Sequence, residues 1–167
     1  MKVISGGQSG VDRAGLDAAY DLGIKTGGYA PRNFKTLDGL RPELGSKYGL
    51  IALGASYYKE RTYANVQMAD ATLRLARYWS SPGEICTMNA IKKFNKTFLD
   101  VPMPAIKLDA SYSRNDDILI ETIITWLRKH GIVILNVAGN SECTAPGIGI
   151  EAYTLLYKLF DACKTRR

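Results

Sequence analysis

The chain begins with Lys2-Val3-Ile4-Ser5-Gly6-Gly7-Gln8-Ser9-Gly10-Val11-Asp12-Arg13, and most of what can be said about the fold starts from these residues. Residues 2–5 are β-prone, and the glycines and serines that follow indicate a tight turn. A helical period of apolar residues starts directly afterwards, and one face of that helix carries Val11, Gly15, Ala18 and Leu22. The stretch therefore predicts a strand, a glycine loop and a helix in succession.

The same alternation continues along the chain. Further strands are predicted at 26–30, 71–76, 105–108 and 132–137, and further helices at 58–68, after a loop over 79–83 and ending near 95, around 120–127 and from about 146 onward. Residues 31–49 are rich in turn formers and predict a long irregular excursion. The pattern predicts an α/β protein with a Rossmann-like open, mostly parallel sheet and helices on both faces. With 167 residues and no linker or repeat, we expect a single domain over 1–167.

Composition excludes several classes of protein. Hydrophobic residues make up 46% and charged residues 23%, which is typical of a globular chain and not of a disordered one. No apolar run approaches the roughly 20 residues of a membrane span, and no signal-peptide core opens the chain. The three cysteines lack the Cys-x-x-Cys spacing, which favours reduced thiols. We therefore expect a soluble, cytoplasmic protein without membrane contact.

The net charge of +6 and the pI near 9.2 favour anionic ligands. Basic residues are spread along the chain, and the densest cluster, 164–167, is typical of a solvated tail. Nucleic acid therefore stays a minor alternative to a small anion.

The glycine loop is the first candidate site. Glycines allow close approach of a ligand to the backbone, and amides at a helix N-terminus favour an anion such as phosphate. The candidate residues in the loop are Gly6, Gly7, Gln8 and Ser9. The loop is neither the Gly-x-Gly-x-x-Gly pattern nor a Walker A sequence, so the pattern supports neither hydride transfer nor ATP hydrolysis. A plain strand-to-helix turn is the alternative.

Charged and amide side chains extend this candidate site. Asp12 beside a phosphate would repel it, so we expect Asp12 to accept hydrogen bonds from sugar hydroxyls or to pair with Arg13. Arg13 itself is a candidate phosphate clamp. Arg61 and Asn65 are four residues apart in a predicted helix and so share a face, where one would contact a phosphate and the other a base or ribose edge. A solvated helix face is the alternative for this pair.

Two later loops should meet the first at the carboxyl edge of the sheet. Ser81 and Gly83 belong to a strand-to-helix turn, and Glu84 is the nearby carboxylate that could act as acid or base, with helix-end charge compensation as its alternative role. Asn136 and Asn140 are candidate ligand contacts that could also satisfy or cap the backbone. Nearby aromatic residues that could stack on a purine are Tyr57, Tyr58, Tyr63, Tyr78 and Trp79. The single histidine, His130, is predicted to cap a helix, so we expect neither a catalytic triad nor a metal site.

Several motifs taken together resemble a known family. They are residues 4–14, Asp17-Ala18-Ala19, Gly23-Ile24, Gly27-Gly28, Asp38-Gly39, Arg61-Thr62-x-x-Asn65-Val66, residues 135–139 and Pro146-Gly147-Ile148. Their order resembles the circularly permuted YpsA branch of the SLOG superfamily, a family whose name refers to molybdenum carriers. The resemblance implies a LOG-like fold and a nucleotide-derived ligand, and from it we expect a homodimer or higher homo-oligomer.

One departure from the family pattern bears on activity. Where the family normally has a Gly-Gly-Thr phosphate turn, this chain has Ser81-Pro82-Gly83-Glu84. The Pro-Gly-Gly-x-Gly-Thr-x-x-Glu pattern of the phosphoribohydrolase relatives is absent as well, which argues against their N-glycosidic hydrolysis. The resemblance thus favours a protein that holds its ligand and does not cut it.

The leading hypothesis is therefore a binding protein, without catalytic residues or a cofactor, for an ADP-ribose-type or cyclic nucleotide signal. Sequestration of such a signal against nucleotide-based immune defence is the biological role that we expect. A nucleotide hydrolase with Glu84 or Asp12 as general base is one alternative, and a carrier of molybdenum cofactor or an oxyanion is another.

Overall fold

The strand and helix predicted at the start of the chain are its first two regular elements. The computed structural model describes residues 1–104 and 114–165. In chain order the elements are β1 (Lys2–Ile4), α1 (Val11–Asp21), β2 (Lys25–Ala30), β3 (Lys35–Thr36), β4 (Gly39–Leu40), α2 (Glu43–Tyr48), β5 (Leu50–Ala52), α3 (Tyr58–Met68), β6 (Ala71–Ala76), α4 (Pro82–Phe94), β7 (Thr97–Pro102), α5 (Arg114–Lys129), β8 (Ile134–Gly139) and α6 (Ile148–Thr165). A 3-10 turn, Arg32–Phe34, precedes β3.

Six of the strands form one sheet in the order β5-β2-β1-β8-β6-β7, and every adjacent pair is parallel. The chain moves outward from β1 through β2 to β5, then crosses to β6 and moves the other way to β7. Right-handed crossovers that run in opposite directions place their helices on opposite faces of the sheet. A crevice therefore opens at the carboxyl ends of the central strands. The predicted Rossmann-like parallel sheet is confirmed.

Alternation along β6 and β8 separates an apolar face from a polar one. Leu73, Leu75 and Val137 point into the main core with α1, α5 and α6. Because successive strand residues face opposite ways, Thr72, Arg74 and Asn136 point toward α3 and α4. A smaller core under those two helices contains Val66, Ala90 and Ile91. The polar strand residues thus lie on the side where the crevice is formed.

Three parts of the secondary structure differ from the prediction. Residues 31–49 are not irregular, because they contain the β3–β4 hairpin and α2. Strands β5 and β7 were not predicted, since β5 has three residues and β7 mixes polar residues with a terminal proline. The last strand runs from Ile134 to Gly139, two residues later than predicted. The strand predicted at 105–108 lies outside the described residues.

No helix within residues 1–104 and 114–165 combines the length and apolar character needed to cross a membrane.

Gly139 provides a test of the tight contact between β8 and β6. It pairs with Leu75, and a Cβ built on Gly139 would overlap the Leu75 carbonyl oxygen. We predict that Gly139→Ala lowers the free energy of unfolding by roughly 2–4 kcal/mol, because backbone on both strands must shift. Urea denaturation followed by circular dichroism measures the change.

Gly54→Ala is the matched control, since nothing lies within 4 Å of a Cβ at Gly54. Its free energy of unfolding should stay within about 0.5 kcal/mol of the parent value. Equal stability of the two variants would contradict the close strand contact.

Candidate functional site

A cleft of about 500 Å³ opens at the carboxyl ends of β8 and β6. This volume falls within the range of small-molecule sites in proteins. The residues that line it come from five parts of the chain: Gln8 and Asp12, Leu37, residues 58, 59, 61, 62 and 65 of α3, residues 81–84, 86 and 87, and residues 136–141 with Thr144. The glycine loop, α3, α4 and the end of β8 therefore meet at one place.

Most of the predicted site residues lie in this cleft. Those that line it are Gln8, Asp12, Arg61, Asn65, Ser81, Gly83, Asn136 and Asn140, together with Glu84. Gly6 and Gly7 support it from behind, whereas Ser9 and Arg13 line a separate groove on the outer side of α1. The structure thus brings the three predicted loops together but directs one predicted arginine elsewhere.

An ion pair between α1 and α3 forms the floor of the cleft. Arg61 Nη1 donates to Asp12 Oδ2 at 2.6 Å, and the Asp12 side chain is only 4% exposed. The backbone amide of Gln8 donates to the same carboxylate oxygen at 3.4 Å. Gly6 makes room for this arrangement, because a Cβ there would overlap the Arg61 guanidinium. A residue with a side chain at position 6 would therefore displace Arg61.

The predicted pairing of Asp12 with Arg13 is wrong. Consecutive helix residues do not face each other, and Arg13 points away from the cleft. Its guanidinium binds Asp38 at 2.8 Å and the Gly7 carbonyl at 3.0 Å. The hydrogen bond from Arg13 holds the pKa of Asp38 well below its usual range. Arg13 therefore fastens the β3–β4 hairpin beside the cleft.

The glycine loop also holds this hairpin. Gln8 Oε1 accepts hydrogen bonds from the amides of Leu37 at 2.9 Å and Ser9 at 3.1 Å. The Val11 amide donates to the Asn140 carbonyl at 3.2 Å. Several amides at the start of α1 are thus bonded within the protein, and the loop forms a fixed wall of the cleft.

The side-chain amides of two predicted ligand contacts form hydrogen bonds with the backbone. Asn65 accepts from the Tyr29 amide at 2.8 Å and donates to the Tyr29 carbonyl at 3.0 Å, so it joins α3 to β2. Asn140 Oδ1 accepts from the amides of Arg77 and Tyr78 at 2.8 and 2.9 Å. These bonds position the loop between β6 and α4, a structural role that fits an amide able to donate and accept at once.

The start of α4 opens onto the cleft. Ser81 caps this helix by accepting from the Glu84 amide at 3.5 Å, and Pro82 occupies the first helical turn. In the part of the chain that the structure describes, the Gly83 amide has no hydrogen-bond partner. Nothing lies within 4 Å of a Cβ built on Gly83. The positive end of the α4 dipole is therefore accessible to an anion.

Glu84 is a buried carboxyl in the wall of the cleft. Its Oε1 lies 3.5 Å from Asn140 Nδ2, and its Oε2 lies 3.4 Å from Arg74 Nη1. Burial raises the pKa of Glu84 to about 7, with opposition from Arg74 and smaller contributions from the charges of Asp12 and Asp100. Glu84 can therefore hold or release a proton near neutral pH.

Arg74 is the functional residue that sequence reasoning missed. It lies on β6 and binds Asp100 on β7 through two bonds of 2.8 and 2.6 Å. Its guanidinium is 5.0 Å from the centre of the Trp79 ring, a cation–π distance. The available signal was an arginine inside the otherwise buried strand Ala71-Thr72-Leu73-Arg74-Leu75-Ala76, because such a charge requires a partner.

The remaining predicted side chains divide between cleft and surface. Asn136 lines the cleft and donates to Thr72 Oγ1 at 3.2 Å, which satisfies part of the buried amide. Tyr58 also lines the cleft, Trp79 covers Arg74, and Tyr63 packs against Phe94. The exposed aromatic residues of this group are Tyr57 and Tyr78. Among the described residues, no group of three or more His, Cys, Asp and Glu could hold a metal ion.

Comparison with known proteins shows the family of the chain. The model of the circularly permutated YpsA SLOG family matches residues 3–160. The chain belongs to this family. A crystal structure of a "Putative molybdenum carrier protein" from Syntrophus aciditrophicus is similar with a TM-score of 0.82 and 30% identity, over 95% of this chain and 93% of that chain. No curated protein matches this chain. The predicted family is thereby confirmed.

The buried carboxyl of Glu84 makes stability depend on pH. Its pKa is about 7 in the folded protein against an ordinary value of 4.5, so between these values the folded state holds a proton that the unfolded state has lost. The contribution is complete below about pH 4.5 and is lost as the pH rises through 7, with a total of about 3 kcal/mol. We predict that the free energy of unfolding contributed by this group falls over that interval.

Glu84→Gln should remove this contribution, because glutamine does not titrate. Chemical denaturation at half-unit steps from pH 4.5 to 8 measures the slope for both proteins. The difference between the two profiles isolates Glu84 from other titrating groups. Parallel profiles would show that Glu84 does not carry the shifted proton.

Proposed function

We propose that the cleft binds a small nucleotide-derived anion and holds it without chemical change. The observation that carries this proposal is that a guanidinium and an open helix N-terminus line the same cleft. Nη1 of Arg61 donates a hydrogen bond to Asp12. The buried Nε of Arg61 has no hydrogen-bond partner among the residues described. Gly83 offers its amide at the start of α4. Spare guanidinium donors together with a helix N-terminus favour phosphate.

The other walls suit a nucleoside. Asp12 Oδ1 is available beside its ion-paired oxygen to accept a sugar hydroxyl, and Tyr58 and Leu37 supply apolar surface for a base. Membership of the SLOG family supports a nucleotide-related ligand. We therefore place the phosphate end near Arg61 and Gly83 and the base end near Tyr58.

The finer identity of the ligand stays a prediction. An ADP-ribose-type or cyclic nucleotide signal fits the proposed contacts, and sequestration against immune signalling is the role that we expect for such a protein. A homodimer is likewise expected from the family. Sedimentation equilibrium with and without ligand measures the oligomeric state.

One observation favours a second candidate, a nucleotide hydrolase. Glu84 lies in the cleft wall, and its pKa of about 7 is suitable for general acid–base catalysis near neutral pH. In that case the same anion contacts would stabilise charge during hydrolysis. A hydrolase would release product, whereas a binding protein would return its ligand intact.

One experiment separates these functions. Purified protein is titrated by calorimetry with ADP-ribose, its cyclic isomers, cyclic mono- and dinucleotides and molybdate, and each mixture is then denatured and analysed by mass spectrometry. Binding followed by full recovery of intact ligand supports the proposal. Conversion that Glu84→Gln abolishes supports the hydrolase. Binding of molybdate alone would support carriage of the kind for which the Syntrophus aciditrophicus protein is named.

Arg61 and Arg13 form a matched pair of test residues. We predict that Arg61→Ala weakens binding of ADP-ribose by at least tenfold, because a charge-assisted hydrogen bond is lost, typically about 1.5–3 kcal/mol. Arg13→Ala should change affinity less than threefold, since Arg13 is directed to Asp38 and away from the cleft. Isothermal titration calorimetry measures both.

A control addresses the carboxylate that Arg61→Ala leaves unpaired. Asp12 is buried, so the single variant can lose stability for reasons unrelated to ligand binding. The double variant Asp12→Asn with Arg61→Ala removes both charges and should fold. Undiminished affinity in this double variant would place the anion elsewhere.

A further inference from the structure

Three charged side chains form a cluster behind one wall of the cleft. Arg74 lies on β6, Glu84 in the first turn of α4, and Asp100 on the edge strand β7. Arg74 and Glu84 have side chains that are only 5% and 1% exposed, whereas Asp100 is 35% exposed. Asp100 lies outside the cleft lining, so it acts on Glu84 through its hold on Arg74 and through its own negative charge.

The Arg74 guanidinium forms shorter contacts with Asp100 than with Glu84. Asp100 receives Nε at 2.8 Å and Nη2 at 2.6 Å, a bidentate pairing on both carboxylate oxygens. Glu84 Oε2 is 3.4 Å from Nη1, which also donates to the Glu84 carbonyl at 3.2 Å. Asp100 therefore holds the guanidinium more closely than Glu84 does, and its own negative charge opposes the attraction of Arg74 for Glu84.

The other charges around Glu84 do not replace this counter-charge. On α1, Asp12 adds a negative charge, and on α3 its partner Arg61 is held at 2.6 Å by that same carboxylate. Lys59 lies at the mouth, is exposed, and stands over the Tyr63 ring. From β8, Asn140 offers only a neutral amide at 3.5 Å. Among the described residues, the close cation of Glu84 is therefore Arg74, which Glu84 shares with Asp100.

We propose that Asp100 is a positioning residue that prepares the cleft for an anion: by holding Arg74, it leaves Glu84 in the neutral, protonated form. A neutral Glu84 does not repel a phosphate at the start of α4. The raised pKa of Glu84 agrees with this arrangement. For its binding consequence, the inference rests on the proposed function.

Removal of the Asp100 charge should transfer the guanidinium to Glu84. Asp100→Asn weakens the bidentate pair and leaves Arg74 within reach of Glu84 Oε2, which then favours the ionised carboxyl. Arg74→Gln has the opposite effect, since it removes the cation altogether. A merely structural role for the cluster would not shift the titration of one carboxyl in opposite directions.

The direct test is a carbon-13 NMR titration of full-length protein labelled at the glutamate side-chain carboxyl carbon. Glu84→Gln assigns the resonance. We expect Asp100→Asn to lower the Glu84 midpoint by at least one pH unit and Arg74→Gln to raise it. Asp100→Glu, which restores the charge, should return the midpoint toward the parent value. An unchanged midpoint in Asp100→Asn, or equal shifts in both variants, overturns the proposal.

The binding test uses ADP-ribose, whose pyrophosphate charge is constant between pH 6 and 8. At pH 7 we expect Asp100→Asn to weaken its binding about fivefold, which is the fall in protonated fraction when a midpoint of 7 drops by one unit. The loss should diminish at pH 6. If the NMR shifts occur but the parent protein binds no nucleotide, the proposed function fails while the charge relation stands.

Asp100 is partly exposed, so Asp100→Asn is expected to fold, and the thermal unfolding of each variant provides the check. If Asp100→Asn does not fold, Asp100→Ser replaces it in both experiments, and we expect the same results. If the parent protein binds ADP-ribose and Asp100→Asn binds it with the same affinity as the parent at both pH 6 and pH 7, the inference is overturned. The proposed function is then left intact.

Discussion

The ion pair between Asp12 and Arg61 joins the two helical layers at the carboxyl end of the sheet. Asp12 belongs to α1, which packs with α6, and Arg61 belongs to α3, which packs with α4. Removing one member of a buried pair leaves an uncompensated charge, so each residue fixes the other. Gly6 is part of the same constraint, because its missing side chain provides the space for the guanidinium. The width and polarity of the cleft follow from this contact.

A second set of contacts determines how the glycine loop is used. The side-chain amide oxygen of Gln8 accepts a hydrogen bond from the hairpin, at the Leu37 amide, and the Gly7 carbonyl accepts one from Arg13. Contacts of this kind keep the loop in a fixed shape, which reduces the entropy lost when a ligand binds. The accessible helix N-terminus is instead that of α4. In the proposed function we therefore assign anion recognition to the turn at residues 81–84.

Much of the fold could be predicted because it depends on local periodicity and on the handedness of strand connections. The 3.6-residue period located α1 and α3, and the alternation of strands and helices predicted a parallel sheet with a crevice at its carboxyl edge. Strand β5 was missed because three residues give too short a pattern, and the hairpin because Asp38 and Gly39 also signal plain loops.

The partners of polar side chains could not be predicted in the same way. Arg13 and Arg61 look alike in a sequence, and only the tertiary structure directs one to Asp38 and the other to Asp12. Asn65 and Asn140 have the residue type of ligand contacts, yet their amides are used on nearby backbone. The pairing of Arg74 with Asp100 crosses two strands and joins residues that are 26 positions apart, so no local pattern reveals it.

The balance between holding and cutting a ligand depends on how Glu84 is supported. A general acid or base must reach the reacting atom, whereas Glu84 is 1% exposed and lies between Asn140 and Arg74 at its two oxygens. Its backbone carbonyl is bound to the same arginine, so the side chain and the helix turn are fixed together. A carboxyl with contacts at both oxygens is better placed to determine the charge of the cleft wall than to transfer a proton to a ligand. In the proposed binding function, the neutral form of Glu84 makes the turn at residues 81–84 compatible with an anion.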